Sequence, residues 1–284
     1  MISYNKVCEL EDFTNPDIKD AILKVFGHER ERFGPNFPKG QEYRKYWEIG
    51  MAQRTFQDTG ILHPNADILG VGAGNEPTVF YLTNHVHRVF ATDLYLGAHW
   101  GESANPGMMI HPERYWPVDW NPRRLVVQHM NALELQYDDN SFEGIFSSSS
   151  LEHFGTHEDV RKSLQEMYRV LKPGGVLSLS TEYRLAGTGA GIPGALLFDE
   201  AQVREILIGV ANWEPISELN FHVSPATRKT AISYQKAVEC LAAHVGVERE
   251  IIFQRLVWSQ YPHIVLREGD YEWTSIHVAL RKPR

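Results

Sequence analysis

Cysteine is scarce in this 284-residue chain: Cys8 and Cys240 are the two it has. Two thiols exclude a disulfide framework and a four-thiolate metal centre, and such low usage suits a reducing compartment. Long apolar runs are also missing, so no segment reads as a membrane-spanning helix. The start, MISYNKVCELEDF, is acidic and has no apolar h-region, so a cytoplasmic protein without a signal peptide is expected. An excess of basic residues is lacking as well. Lys and Arg number 28 against 36 Asp and Glu, a formal charge of −8, which offers no footprint for nucleic acid or an anionic membrane. Internal repeats and low-complexity tracts are absent too. What remains is 43% apolar and 23% charged, ample for a large globular core.

Apolar patterning alternates between strands and helices, the signature of an α/β fold with a parallel sheet. ADILGVGAG reads as a buried strand entering a Gly-rich turn, and Pro77 then opens a helix. Further strands are expected at 87–94, 124–132, 142–150, 176–181, 213–221 and 273–282. Thr156 and Asp159 predict a capping box for a helix whose apolar stripe is Val160, Leu164, Met167 and Leu171, stopped by Pro173-Gly174-Gly175. Another helix is expected from about Asp199, and a third over 227–245. Helix 41–58 carries Tyr43, Tyr46, Trp47 and Met51 at helical spacing. The whole chain, 1–284, reads as one domain with an N-terminal helical extension (1–60), an insertion (95–122) and a cap-like insertion (223–272).

The loop Gly70-Val71-Gly72-Ala73-Gly74-Asn75-Glu76-Pro77 brings backbone N–H groups toward a ligand or simply permits a tight turn. It matches neither the dinucleotide fingerprint nor a P-loop, which disfavours a nicotinamide oxidoreductase and a pyrophosphate ligand. Asp93 ends the second strand, where a carboxylate can accept from both hydroxyls of a ribose or cap the following loop. Asn131 and Ala132 end the third, where an amide and a backbone N–H can read an adenine edge.

In this order the segments ILGVGAG, ATDLY, HMNALELQYDDNSFEGIFSSSSLEHFG and RVLKPGGVLSLST resemble the class I S-adenosylmethionine-dependent methyltransferases, in the methyltransferase-11-like group. The resemblance covers about residues 60–182. It implies a Rossmann-like, seven-stranded sheet with an antiparallel last strand and helices on both faces. It implies S-adenosyl-L-methionine as cofactor and S-adenosyl-L-homocysteine as product. The Gly loop would hold the methionine part, Asp93 the ribose and Asn131-Ala132 the adenine. The expected cofactor set is Gly70, Gly72, Ala73, Gly74, Asp93, Leu94, Asn131, Ala132, Ser148 and Ser149. The chain departs from the family at Gly70, where an acid is frequent, at Glu76, where Gly is frequent, and at Asn131, where Asp is common. The GAG-x-E-P variant, SSSSLEHFG and the WEIG helix are similar to a subgroup of bacterial glycan and natural-product pathway enzymes.

Methyl transfer from a sulfonium is an in-line displacement, so alignment and desolvation supply most of the catalysis, with a proton to remove if the acceptor is a hydroxyl. His153 is the expected general base, with packing or helix capping as its alternative role, and Glu182 is second choice. No metal is expected. His153 and His157, flanked by Glu152 and Glu158, have ligand spacing, but Gly155 and Thr156 place a helix start between them. Met108-Met109 reads as apolar filling. Tyr95, Trp100, Tyr115, Trp116 and Trp120 suit either an acceptor pocket or burial of their own segment. His222, Trp258, Tyr261 and His263, near the ends of the 223–272 insertion, belong to an expected lid. The leading expectation is O-methylation of a small molecule or saccharide in a natural-product or glycan pathway. Its alternatives are N-methylation of a small amine and a non-catalytic adenosylmethionine-binding scaffold. A nucleic-acid partner is disfavoured, and homo-oligomer formation is left open.

Overall fold

Successive residues of a strand face opposite sides of a sheet, and the central strands here use both sides for burial. Ile68, Phe146 and Val176 join one apolar cluster, whereas Leu69, Ile145 and Leu177 join another across the sheet. The structure, a computed structural model, describes residues 3–38, 44–97, 103–233 and 264–284. Strands β1 (Asn5–Val7), β2 (Asp67–Val71), β3 (Arg88–Asp93), β4 (Leu125–His129), β5 (Phe142–Ser148), β6 (Leu171–Ala186), β7 (Leu219–Asn220) and β8 (Tyr271–Arg281) lie in the order β7-β1-β8-β6-β5-β2-β3-β4. From β6 to β4 the neighbours are parallel, and β8 runs antiparallel to β6, so the last strand is reversed as expected. Short strands Glu214–Pro215 and Leu266–Glu268 also pair with β8.

Helices α1 (Pro16–Phe26), α2 (Arg44–Asp58) and α3 (Pro77–Leu82) supply the first cluster. Asn15 caps α1 by accepting from the N–H groups of Asp17 and Ile18, and Ile18, Ile22, Val25 and Phe26 form its buried stripe. The opposite face is covered by α4 (His157–Val170) and a turn, Glu200–Gln202, that widens into the π-helix Val203–Ile208. The predicted capping box of α4 is present: Thr156 Oγ1 accepts from Asp159 N (3.2 Å), and Asp159 Oδ2 accepts from Thr156 N (2.8 Å). Thr156→Ala should therefore destabilise the protein by about 1 kcal/mol, read as a lower urea midpoint with unchanged slope. An unchanged midpoint would show that the cap contributes nothing to stability.

Four expectations need correction. Helix α4 ends at Val170, ahead of Pro173-Gly174-Gly175, because Leu171 is already extended and paired with Phe142. The strand expected at 213–221 is broken into Glu214–Pro215 and Leu219–Asn220, separated because β1 inserts beside β8. That insertion also makes the N-terminal extension partly β rather than wholly helical. His277 anchors it: the ring donates from Nδ1 to Tyr4 O (2.6 Å) and accepts at Nε2 from Ser178 Oγ (2.8 Å). Burial pushes the His277 ring down to about 4, so it stays neutral there. Finally, within the helix expected over 227–245 the described residues show only the end of a short helix, Pro225–Arg228, and the strand Ile232–Ser233; the remainder lies outside the described residues. No helix among the described residues is long and apolar enough to cross a membrane.

Candidate active site

Ligands of open α/β sheets lie beyond the carboxyl ends of the parallel strands. There a cavity of about 360 Å³ opens between the loops after β2, β3, β4 and β5 and the first turns of α2. The Gly loop turns at Gly72 (φ +62°) and Gly74 (φ +46°), left-handed conformations that favour glycine. A Cβ on Gly74 would also collide with the Ser103 carbonyl. Gly74 N donates to Asp93 Oδ2 (2.9 Å) and Leu94 N to Asp93 Oδ1 (2.7 Å). Burial raises the Asp93 carboxyl's affinity for a proton, a rise that these two backbone donors and His129 offset only in part. Each carboxylate oxygen keeps further acceptor capacity for a ligand hydroxyl.

Every residue of the expected cofactor set lines this cavity except Gly70. Gly70 lies inside β2, where a Cβ would sit 2.5 Å from the Phe146 ring, so it shapes the strand and touches no ligand space. Asn131 lines the cavity while its Oδ1 accepts from Leu133 N (2.9 Å), closing its own turn. Ser149 is left-handed (φ +51°), and its hydroxyl donates to Glu48 Oε2 (2.6 Å) on α2. Tyr95 is buried and donates to Gly74 O (2.7 Å), while Ser103 O accepts from Asn75 N (3.1 Å). The 95–122 insertion thus clamps the Gly loop, a role its aromatic composition did not reveal. Trp116 packs on Phe80 and Phe26, and Trp100 lies outside the described residues. Met108 is buried and, with Met109, lines a second cavity beneath Trp116 and Trp120.

His153 also lines the main cavity. Its Nδ1 is 2.7 Å from Gly194 O, in the hairpin joining Gly191–Ile192 to Ala195–Leu196. A carbonyl only accepts, so Nδ1 carries the proton and Nε2 is the basic nitrogen of the neutral ring. Glu152 Oε1 lies 3.9 Å from Nε2, and its other oxygen accepts from Thr181 Oγ1 (2.8 Å). Glu182 is placed differently from the expectation. It is buried outside the cavity lining, in an ion pair with Arg44 Nη2 (2.5 Å). Burial pushes its carboxyl up against the pull of Arg44, with Glu152 and Glu48 adding to the rise. The contact with Arg44 ties Glu182 to α2. Helix 41–58 contributes Lys45, Tyr46 and Ile49 to the cavity lining. Trp47 instead packs inside and donates to Asp12 (2.9 Å), and Tyr43 lies outside the described residues.

Residues 69–179 match the family described as Methyltransferase domain. The chain is 29% identical over 160 residues to the 27-O-demethylrifamycin SV methyltransferase of Amycolatopsis mediterranei, covering 56% of this chain and 52% of that protein. It is 28% identical over 116 residues to the 2-phytyl-1,4-naphtoquinone methyltransferase of Nostoc punctiforme, covering 41% of this chain and 46% of that protein. Residues 69–179 form a class I S-adenosylmethionine-dependent methyltransferase domain. The chain spans about half the length of the curated relatives it matches. Its fold is similar to that of the phosphoethanolamine N-methyltransferase 2 of Haemonchus contortus, solved with phosphomonomethylethanolamine and S-adenosylhomocysteine, at a TM-score of 0.51 and 17% identity over 98% of this chain and 61% of that one.

The methyltransferase domain's cavity fits its family's cofactor in donor chemistry. It offers a carboxylate for hydroxyls at Asp93, an open backbone at Gly72–Gly74, and apolar walls from Phe26, Ile49 and Met130. Sequence reasoning missed Lys45, Glu48 and Glu76 around the same space. Lys45 Nζ lies 2.6 Å from Ser148 O, 3.2 Å from Glu76 and 3.3 Å from Glu48. The one available signal was Glu76 standing where the family frequently has Gly.

Proposed function

We propose that this chain binds S-adenosylmethionine in the main cavity and methylates an oxygen of a small molecule or saccharide, with His153 as general base. The observation that carries this reading is the 2.7 Å contact between His153 Nδ1 and Gly194 O at the cavity wall, because a carbonyl partner assigns the proton to Nδ1 and the acceptor to Nε2. The relative whose name includes an O-demethylated substrate supports an oxygen acceptor. Asp93 binds the ribose hydroxyls, Gly72–Gly74 face the methionine part, and Asn131 with Ala132 borders the adenine. When bound, the cofactor supplies an electrophilic methyl group on a sulfonium. The chain's own part is to align the acceptor, to exclude water with α2 and Phe26, and to take the hydroxyl proton at Nε2.

Calorimetry with S-adenosylmethionine and S-adenosylhomocysteine tests the cofactor reading, followed by an acceptor screen coupled to S-adenosylhomocysteine release. Asp93→Ala should weaken binding by about 1.5–3 kcal/mol, roughly ten- to a hundredfold in dissociation constant. Unchanged affinity would place the ribose elsewhere.

A further inference from the structure

Among the described residues other than glycine, Asn140 (φ +57°) and Ser149 (φ +51°) have left-handed backbones. Asparagine visits that region readily, whereas serine has no such preference. Ser149 is held there by its place in the fold. β5 ends at Ser148, opposite Ser180 on β6, and Ser149 N still donates to Ser180 O (2.9 Å). One residue later the chain lies over the Gly loop, where a Cβ on Gly72 would sit 2.6 Å from Ser150 Oγ. The chain therefore leaves the sheet abruptly at Ser149. The short turn Leu151–His153 follows at once, and His153 N donates to Ser150 O (2.9 Å). The backbone of Ser149 thus sets the direction from which His153 enters the cavity.

Backbone strain persists only where the surroundings enforce it, and here the enforcement comes from α2. The Ser149 hydroxyl donates to Glu48 Oε2 (2.6 Å), and the other Glu48 oxygen accepts from Ser275 on β8. Lys45 Nζ lies 3.3 Å from Glu48 Oε2 and donates to Ser148 O (2.6 Å). Glu48 is buried and does not line the main cavity. Burial opposes its ionisation, yet Lys45, Arg44 and the two hydroxyls outweigh that and hold its carboxyl below the usual range. Hydrogen bonds to a charged acceptor are the strong ones. We infer that Glu48 is a positioning residue, which holds Ser149 left-handed and so aims the turn that carries His153. This rests on the reading of His153 as general base and deepens it. A residue with a Cβ is disfavoured in this conformation by roughly tenfold, so a released loop would keep His153 aimed in about a tenth of the molecules.

Ser149→Ala and Ser149→Gly test this in the full chain: both delete the hydroxyl, but only alanine has a Cβ that opposes the left-handed backbone. One readout is the single-turnover methylation rate at saturating cofactor and acceptor. The other is the imidazole nitrogen NMR signal of His153, assigned by its absence in His153→Ala, which reports the tautomer and needs no acceptor. Ser149→Ala and Glu48→Leu should each lower the rate about tenfold and turn the single Nδ1–H signature into a tautomer mixture. Ser149→Gly should be about tenfold faster than Ser149→Ala and keep the Nδ1–H signature. Glu48→Gln, whose amide oxygen still accepts from Ser149, should recover most of what Glu48→Leu loses. The Ser149 pair leaves Glu48 and Ser275 in place, so the test stands even where Glu48→Leu fails to fold. Equal rates for Ser149→Ala and Ser149→Gly, or an unchanged His153 signature in Ser149→Ala, overturn the inference and leave the base assignment standing. If the unsubstituted protein binds no S-adenosylmethionine, the cofactor reading falls, and the His153 signature still decides whether Glu48 aims the ring.

Discussion

His153→Ala should lower the single-turnover methylation rate by about a hundredfold or more, the range in which a positioned general base acts. S-Adenosylhomocysteine affinity should stay within about twofold, because the alcohol proton and not the cofactor is the partner of Nε2. Three contacts support the size of this effect. Gly194 O fixes the proton on Nδ1, so the ring needs no tautomer change before it acts. Glu152 Oε1, 3.9 Å from Nε2, faces the positive charge that forms when the proton arrives. Thr181 Oγ1 holds the other Glu152 oxygen and keeps that carboxylate in place. The measurement uses an acceptor found by the coupled screen, at saturating cofactor. A rate within about threefold of the unsubstituted enzyme would remove His153 from proton transfer and favour an amine acceptor, which needs no strong base.

Features with a local signal were legible before the structure. The apolar run of Ile68, Leu69 and Val71 marks β2, Gly72 and Gly74 mark the turn, and Thr156 with Asp159 marks the start of α4. Asp93 was legible because a strand end followed by a loop places one carboxylate beside the Gly loop. The missing parts depend on partners far away in sequence. β1 contains Asn5–Val7 alone, too short for periodicity, and exists because β8 offers an edge with His277 to receive it. Lys45 reaches Ser148 O, and Glu48 reaches Ser149 and Ser275, across 103, 101 and 227 positions of sequence. Gly194 is a turn residue whose carbonyl gains meaning only when the hairpin folds over His153. The early end of α4 follows the same logic. Pro173 and the two glycines are strong local stops, but pairing of Leu171 with Phe142 had already ended the helix.

Arg44→Met should cost about 3–5 kcal/mol of stability above pH 8, where it strands a buried carboxylate; burial has raised that carboxyl to about 8. Arg44 opens α2 and is buried, with Nη2 2.5 Å from Glu182 Oε1 at the end of β6. The other Glu182 oxygen is buried and has no hydrogen-bond partner among the described residues, where the guanidinium is the principal compensation for that charge. Lys45 pulls in the same direction more weakly, while Glu48 and Glu152 push against ionisation. Already in the unsubstituted protein, burial raises the Glu182 carboxyl above its ordinary value despite Arg44. Removing Arg44 raises it further. A carboxyl raised by folding contributes stability that is fully present below its ordinary value and is lost as pH climbs through the raised one. Urea denaturation should therefore show a larger deficit for Arg44→Met at pH 8 than at pH 6. Adding Glu182→Met should recover most of the loss and leave a variant whose own stability no longer falls between pH 6 and 8 on account of this carboxyl, since two apolar side chains replace the pair without leaving a charge behind. If the single variant were as stable as the unsubstituted protein at pH 8, Glu182 would be compensated by something other than Arg44. The anchoring of α2 to β6, and with it the placement of Lys45 at the cavity, would then rest on Glu48, Ser149 and Ser275.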